Sequence, residues 1–268
     1  MSGAARRIWL VGGTGESAEL ARSLVASSIP CTVTVTTAAA RALYPAAKTL
    51  RVWVGQLTPA TLPGFLQQEA IAAILDASHP FAVEISRLAI AAAQAQALPY
   101  LRFERSELPP AATPEVRFET LESLLDSHYL EGQRVLLTLG YRWLPAFRAW
   151  HDRATLYARI LPSMPALEAA LAAGFPPDRL IALRPPVSEA LESALWQQWQ
   201  ITCVVTKASG AAGGEAIKRQ VAASLGIPLV VLQRPSIHYP QQTGSVAIAL
   251  NFCHQLGPVA PPAAEQIR

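Results

Sequence analysis

The residues best equipped for chemistry lie in one short run, Asp76-Ala77-Ser78-His79-Pro80-Phe81-Ala82. A carboxylate, a hydroxyl and an imidazole this close together can move a proton or grip a polar ligand. The apolar stretch Ile71-Ala72-Ala73-Ile74-Leu75 leads directly into the run, and a helical pattern follows it. The three side chains therefore fall at a strand's carboxyl end, the edge at which open α/β sheets bind ligands. Asp76, Ser78 and His79 are the candidate catalytic residues. Three roles are open to His79: general acid, donor to a substrate carboxylate, or a structural residue capping the helix. Phe81 and Ala82 begin a buried helix face.

A second constellation sits near the start of the chain. Gly13-Thr14-Gly15-Glu16-Ser17-Ala18 fits G-x-G-x-x-A, after one strand and before one helix. Glycines let the backbone turn tightly and approach a pyrophosphate, which the free N–H groups of the helix then hold. Gly12, Gly13, Thr14, Gly15 and Glu16 are the candidate cofactor-binding residues. Folds of this kind that prefer NAD carry an acid about 20 residues further on. No Asp or Glu occurs here between Glu19 and Glu69, and the second strand runs into Thr36-Thr37 with Arg41 close behind. Hydroxyls and a guanidinium suit a 2′-phosphate, so these residues favour NADPH; the other reading of Arg41 is a solvated helix residue. Tyr44-Pro45-Ala46-Ala47-Lys48 has the Tyr-x-x-x-Lys spacing of short-chain dehydrogenases. Pro45 inside the would-be helical turn argues against it.

The later half carries Thr206-Lys207-Ala208-Ser209-Gly210-Ala211-Ala212-Gly213-Gly214, with Lys218 one helical turn on. Backbone amides, hydroxyls and two ammonium groups in one loop read as an anion site. The Gly-Lys-Ser/Thr order of a phosphate-binding nucleotidase loop is missing. Arg102 and Arg105 end another strand, and Tyr141, Arg142 and Arg184 also follow apolar runs. Guanidinium groups grip carboxylates in bidentate fashion, so several at one rim suit a polycarboxylate. Any one of them can equally be a solvated surface residue.

These residues need a frame, and the pattern of the chain supplies one. Strand-like runs fall at 7–11, 31–36, 50–54, 71–76 and 99–103, then at 134–139, 155–160, 179–183, 201–206 and 228–232. Helical patterns between them, such as Leu20, Ala21, Leu24 and Val25, predict βαβ units and parallel sheets covered on both faces. Pro109, Pro110 and Pro114 mark a break at 106–117. The expected organisation is an α/β chain of two three-layer domains with a cleft between them. A dinucleotide-binding domain covers 1–108, a second α/β domain covers 118–256, and a loose tail covers 257–268.

Of the 268 residues, 51% are apolar and 15% charged, enough for a large core. A net charge of +3 is too mild to argue for nucleic acid and is compatible with an acidic small molecule. Cys31, Cys203 and Cys253 show no Cys-x-x-Cys spacing. They read as buried thiols of a reduced, cytoplasmic protein without a metal site. No apolar run approaches the roughly 20 residues that span a bilayer. Neither a membrane nor nucleic acid is expected as partner.

Together these motifs resemble the precorrin-6A reductase family of cobalamin biosynthesis. The matching pieces are Gly12-Gly13-Thr14-Gly15-Glu16, the Asp76–Ala82 run, Arg102-x-x-Arg105, Thr138-Leu139-Gly140, and Thr206-Lys207-x-Ser209-Gly210-x-x-Gly213-Gly214-x-x-x-Lys218. The resemblance implies two Rossmann-like domains, and hydride transfer from a reduced nicotinamide to one double bond of precorrin-6A or cobalt-precorrin-6A. Arg102, Arg105, Tyr141, Arg142, Arg184, Lys207, Ser209, Gly210 and Lys218 are the candidate substrate-binding residues, with Arg102, Arg142, Arg184, Lys207 and Lys218 expected to fix the substrate's carboxylates. Gly55-Gln56-Leu57 is closer to the cobalt-first, anaerobic branch, which can use NADH, so the cofactor stays open between NADPH and NADH. A monomer or homodimer is expected. The alternatives are a reductase of a smaller carbonyl compound and a non-catalytic nucleotide- or tetrapyrrole-binding protein.

Overall fold

In a computed structural model the described residues are 6–104, 108, 115–210 and 213–256. The chain runs β1 (Arg7–Val11), α1 (Gly15–Ala26), β2 (Cys31–Val35), β3 (Leu50–Val54), α2 (Leu62–Gln68), β4 (Ile71–Asp76), α3 (Val83–Ala95) and β5 (Tyr100–Phe103). It continues with β6 (Glu115–Phe118), α4 (Leu121–Asp126), β7 (Arg134–Leu137), a 3-10 helix at Tyr141–Trp150, β8 (Thr155–Ile160), α5 (Met164–Ala172) and β9 (Leu180–Ala182). Then come α6 (Glu189–Gln198), β10 (Cys203–Lys207), α7 (Glu215–Leu225), β11 (Leu229–Leu232), β12 (Gln242–Thr243) and α8 (Val246–Leu256). Among the described residues no helix is long and apolar enough to cross a membrane.

Two compact units result, one built from β1 to β5 with β12 and α8, the other from β6 to β11. The sheet of the first unit has the order β12-β5-β4-β1-β2-β3 and that of the second β6-β11-β10-β7-β8-β9. Neighbouring strands are parallel in both. In each sheet the chain winds outward from a central strand (β1 or β7) and then crosses to that strand's other side (β4 or β10). Helices on both faces explain why strands such as β1 and β4 read as continuous apolar runs. The pleat divides β1 between the two layers. Ile8 and Leu10 face a cluster with Leu20, Leu24 and Val33, while Trp9 and Val11 face one with Phe65, Ile74 and Ala89.

The structure corrects the sequence-based boundaries in two places. Residues 115–117, expected within the interdomain break, belong to β6, which pairs with β11 from Glu115↔Leu229 to Phe118↔Leu232. The segment 236–256, expected in the second domain, returns to the first unit. There Gln242 and Thr243 pair with Arg102 and Phe103, and α8 buries Ala249 and Cys253 in the cluster of Ile8 and Leu20. The first sheet thus takes its sixth strand from outside the run of chain that supplies the other five, whereas β6 to β11 of the second form one continuous run. A strand of two residues such as β12 has no alternation to detect. The expected loose tail, 257–268, and Arg105 lie outside the described residues.

Cys31, Cys203 and Cys253 are unpaired and buried, and burial pushes each thiol up to about 12. Because Ala249 has no exposed surface, Ala249→Leu should overpack the interface of α8 with the sheet and destabilise the protein by about 1–3 kcal/mol. Denaturant titration reads this directly. An unchanged midpoint would mean that α8 does not lie on the first sheet.

Candidate active site

At the carboxyl ends of β1 and β4, where the sheet order reverses, the first glycine turn and the Asp76 loop meet. Thr14 caps α1: its Oγ1 accepts the Ser17 amide at 3.0 Å, and Ser17 Oγ accepts the Thr14 amide at 3.0 Å. Thr14 Oγ1 also donates to the Ala77 carbonyl at 2.9 Å, tying the turn to the β4 loop. Gly13 has φ of +104°, a conformation that glycine adopts without strain. A Cβ built on Gly13 or Gly15 would meet nothing within 4 Å. The backbone of the turn is therefore open to close approach, which is what a pyrophosphate requires. Thr36, Thr37 and Arg41 are exposed beyond the end of β2, and Thr37 caps the short 3-10 helix Ala38–Leu43.

Asp76 closes β4 with no exposed surface. Its Oδ1 accepts from the Ser78 amide and from Arg102 Nη1, each at 3.0 Å. Its Oδ2 accepts from Ser86 Oγ at 2.6 Å and from the Tyr100 hydroxyl at 2.8 Å. Arg102, equally buried, also reaches Ser78 Oγ at 3.0 Å and Glu104 Oε2 at 2.8 Å, and Tyr239 lies 5.1 Å from its guanidinium. Burial works to lower the pKa of Arg102, but Asp76 and Glu104 outweigh it and the net direction is upward. Burial and the Asp76 carboxylate drive the Tyr100 hydroxyl upward.

This differs from the sequence-based expectation of a catalytic Asp76 and a substrate-gripping Arg102. The two neutralise each other away from solvent and bond to the amide and hydroxyl of Ser78 in the loop that follows. Ser78 is also buried and engaged. His79 is half-buried, and its Nδ1 accepts the Phe81 amide at 3.2 Å. Nδ1 is thus the acceptor nitrogen, which leaves Nε2 as the ring's donor.

The second unit repeats the crossing between β7 and β10. Lys207 ends β10, with its Nζ 5.8 Å from the Trp143 ring centroid. Burial and then nearby Arg142 bring its pKa down to about 8. Arg142 is exposed and stacks 5.8 Å from the Tyr141 ring. Tyr141, Arg142, Trp143 and Lys207 are thus brought to one rim.

The neighbouring glycine loop is held mainly by its own side chains. Gly210 N–H donates to Glu215 Oε2 at 2.7 Å, and Lys218 Nζ donates to the Gly213 carbonyl at 3.1 Å. A Cβ on Gly213 would fall 2.0 Å from Ser209 Oγ, so glycine is needed there to seat that hydroxyl. Glu215 pairs with Arg219 at 2.7 Å, and Arg219 reaches Glu115 on β6 at 3.3 Å.

Of the residues expected to meet substrate, Gly210 and Lys218 bond within this loop and the start of α7, and Lys218 is only 2% exposed. Arg184 is exposed after β9, two strands away from β7. Sequence reasoning missed Arg234, whose Nε donates to the Ala208 carbonyl at 2.8 Å. It also missed Trp143, Tyr44, Ser86 and Tyr100. Trp143 directly follows the quoted Tyr141-Arg142 pair, a signal that was available. The others act across the sheet, and nothing in their local spacing announces it.

The family model for precorrin-6x reductase CbiJ/CobK matches residues 7–254. A cobalt-precorrin-6A reductase of Synechocystis sp. is 50% identical over 253 residues, 92% of this chain and 96% of that protein. A precorrin-6A reductase of Sinorhizobium sp. is 31% identical and covers 94% of each chain. Among solved structures, CobK precorrin-6A reductase is similar with a TM-score of 0.76 and 25% identity, covering 94% of this chain and 97% of that one. Match length, identity and shared architecture agree: the chain belongs to the precorrin-6x reductase family.

Proposed function

We propose that this protein is a cytoplasmic oxidoreductase that reduces one double bond of cobalt-precorrin-6A with NADPH, in cobalamin biosynthesis. The observation that carries this reading is a strand-end loop at each sheet's crossing point, one with glycine backbone open to close approach and the other with Lys207 and Arg142 beside each other. The 50% identity to a cobalt-precorrin-6A reductase supports the cobalt form of the substrate. Thr36, Thr37 and Arg41 at the end of β2 support NADPH.

The residues divide the work by unit. Gly12 to Glu16 would hold the dinucleotide, with the exposed hydroxyls and Arg41 on its 2′-phosphate. A reduced nicotinamide supplies the hydride. Lys207 and Arg142 fix substrate carboxylates, with Tyr141 and Trp143 beside them. A partly buried ammonium attracts a carboxylate more strongly than one in bulk water, and fixed orientation is the main thing hydride transfer needs. His79 is assigned to orient the macrocycle by donating a hydrogen bond from Nε2, with water supplying the proton to the ring.

Anaerobic incubation with precorrin-6A, with and without cobalt, against each reduced nicotinamide tests the whole reading. Nicotinamide absorbance should fall fastest with the cobalt substrate and NADPH; oxidation in no combination would overturn it. Arg41→Ala should lower kcat/KM for NADPH about ten-fold or more and leave that for NADH within two-fold, as loss of a charge-assisted contact predicts. Equal effects on both cofactors would remove Arg41 from the site. Lys207 is cationic below about pH 8 and neutral above it, so carboxylate binding should weaken as pH rises. We expect kcat/KM for the tetrapyrrole to fall about ten-fold between pH 7 and pH 9, and Lys207→Arg to flatten that fall because guanidinium stays charged. An unaltered profile in Lys207→Arg would assign the titration elsewhere.

A further inference from the structure

Tyr44 belongs to a sequence motif with no function left to it. It follows the 3-10 helix Ala38–Leu43 in extended backbone, with φ of −109° and ψ of 140°, so Tyr44 and Lys48 share no helix face. The side chain instead turns inward and is 8% exposed. Its hydroxyl accepts the Gly13 amide at 2.7 Å and lies 2.7 Å from Ser17 Oγ. A Cβ on Gly12 would fall 2.5 Å from that same oxygen and 2.6 Å from Val33. Gly12 is thus the space into which the phenol fits.

The donor inventory fixes the direction of every bond around this oxygen. Ser17 Oγ donates its one proton to the Thr14 carbonyl at 2.7 Å and accepts the Thr14 amide. Toward Tyr44 it can only accept, so the phenol donates. Thr14 Oγ1 accepts the Ser17 amide and donates to the Ala77 carbonyl. The result is a directed chain: Gly13 N–H to Tyr44, Tyr44 O–H to Ser17, Ser17 to the cap at Thr14, and Thr14 to Ala77. Burial is the largest influence on the phenol and raises its pKa, so it keeps the proton the chain requires at neutral pH.

We propose that Tyr44 is a positioning residue for the dinucleotide, setting the glycine turn through this chain and tying it to the loop that carries His79. The inference rests on the assignment of the cofactor to that turn. It has a specific consequence for recognition. The Gly13 amide and the Thr14 hydroxyl, both expected on the cofactor, are already taken, so a phosphate is left the amides of Gly15 and Glu16 at the start of α1. Fixing a turn before the ligand arrives removes the ordering cost from binding.

Tyr44→Phe keeps the ring in its slot and removes only the oxygen. Titration of the enzyme with NADPH, followed by nicotinamide fluorescence, should show Kd raised about five- to ten-fold, the worth of one buried hydrogen bond. In turnover the cofactor KM should rise by the same factor, with kcat at saturating NADPH and the tetrapyrrole KM within two-fold. Ser17→Ala, which removes the next link, should behave alike. Gly13→Val serves as the control for the site. If it abolishes NADPH binding while Tyr44→Phe and Ser17→Ala bind as the parent does, the cofactor site stands and the positioning role of Tyr44 is wrong. If Gly13→Val also binds normally, the cofactor lies elsewhere and both readings fall.

Discussion

The ion pair of Asp76 and Arg102 is the contact on which the first unit's candidate site depends. Neither side chain has exposed surface, and removing one partner of such a pair typically costs about 3–5 kcal/mol because the other is left buried and charged. Its cost is offset by neighbours that hydrogen-bond to the pair: Tyr100 and Ser86 to Asp76, and Ser78 and Glu104 to Arg102. Arg102 also binds the returning segment, since its amide donates to the Gln241 carbonyl at 2.9 Å and Tyr239 stacks near its guanidinium. One buried pair therefore joins the end of β4, the end of β5 and the chain that comes back to form β12.

The second unit uses the same physics with other residues. Glu215 takes the place of a ligand at the Gly210 amide and is itself held by Arg219, which in turn reaches Glu115 on β6. In both units an edge strand lends support to a loop at the crossing point, β12 through Arg102 and β6 through Glu115. The structure also separates two kinds of cation that look alike in sequence. Lys218 props a loop from within, whereas Lys207 lies beside Trp143 and exposed Arg142.

The parallel α/β architecture was legible because burial on both sheet faces demands continuous apolar strands, and ten of these stand out between helical stretches. The glycine turn and the Asp76 loop were legible for a related reason: each ends such a strand, so the periodicity places its polar residues at the ligand-binding edge. β12, at two residues, was too short to show a period, and the alternation of β6, Glu115-Val116-Arg117-Phe118, was hidden by the prolines just before it. The inward roles of Asp76 and Arg102 were equally hidden, since the partners of each come from separate strands and helices.

By itself, then, the amino-acid order determined the layered class, the strand ends that carry chemistry, and the family resemblance, because these depend on local period and on spacing within a single loop. Which charged side chain faces solvent and which is locked in a pair was decided only by the tertiary structure. So was the capture of the glycine turn by Tyr44, a residue 31 positions away in the chain. Long-range pairing depends on sheet order and register, and a short motif carries no record of either.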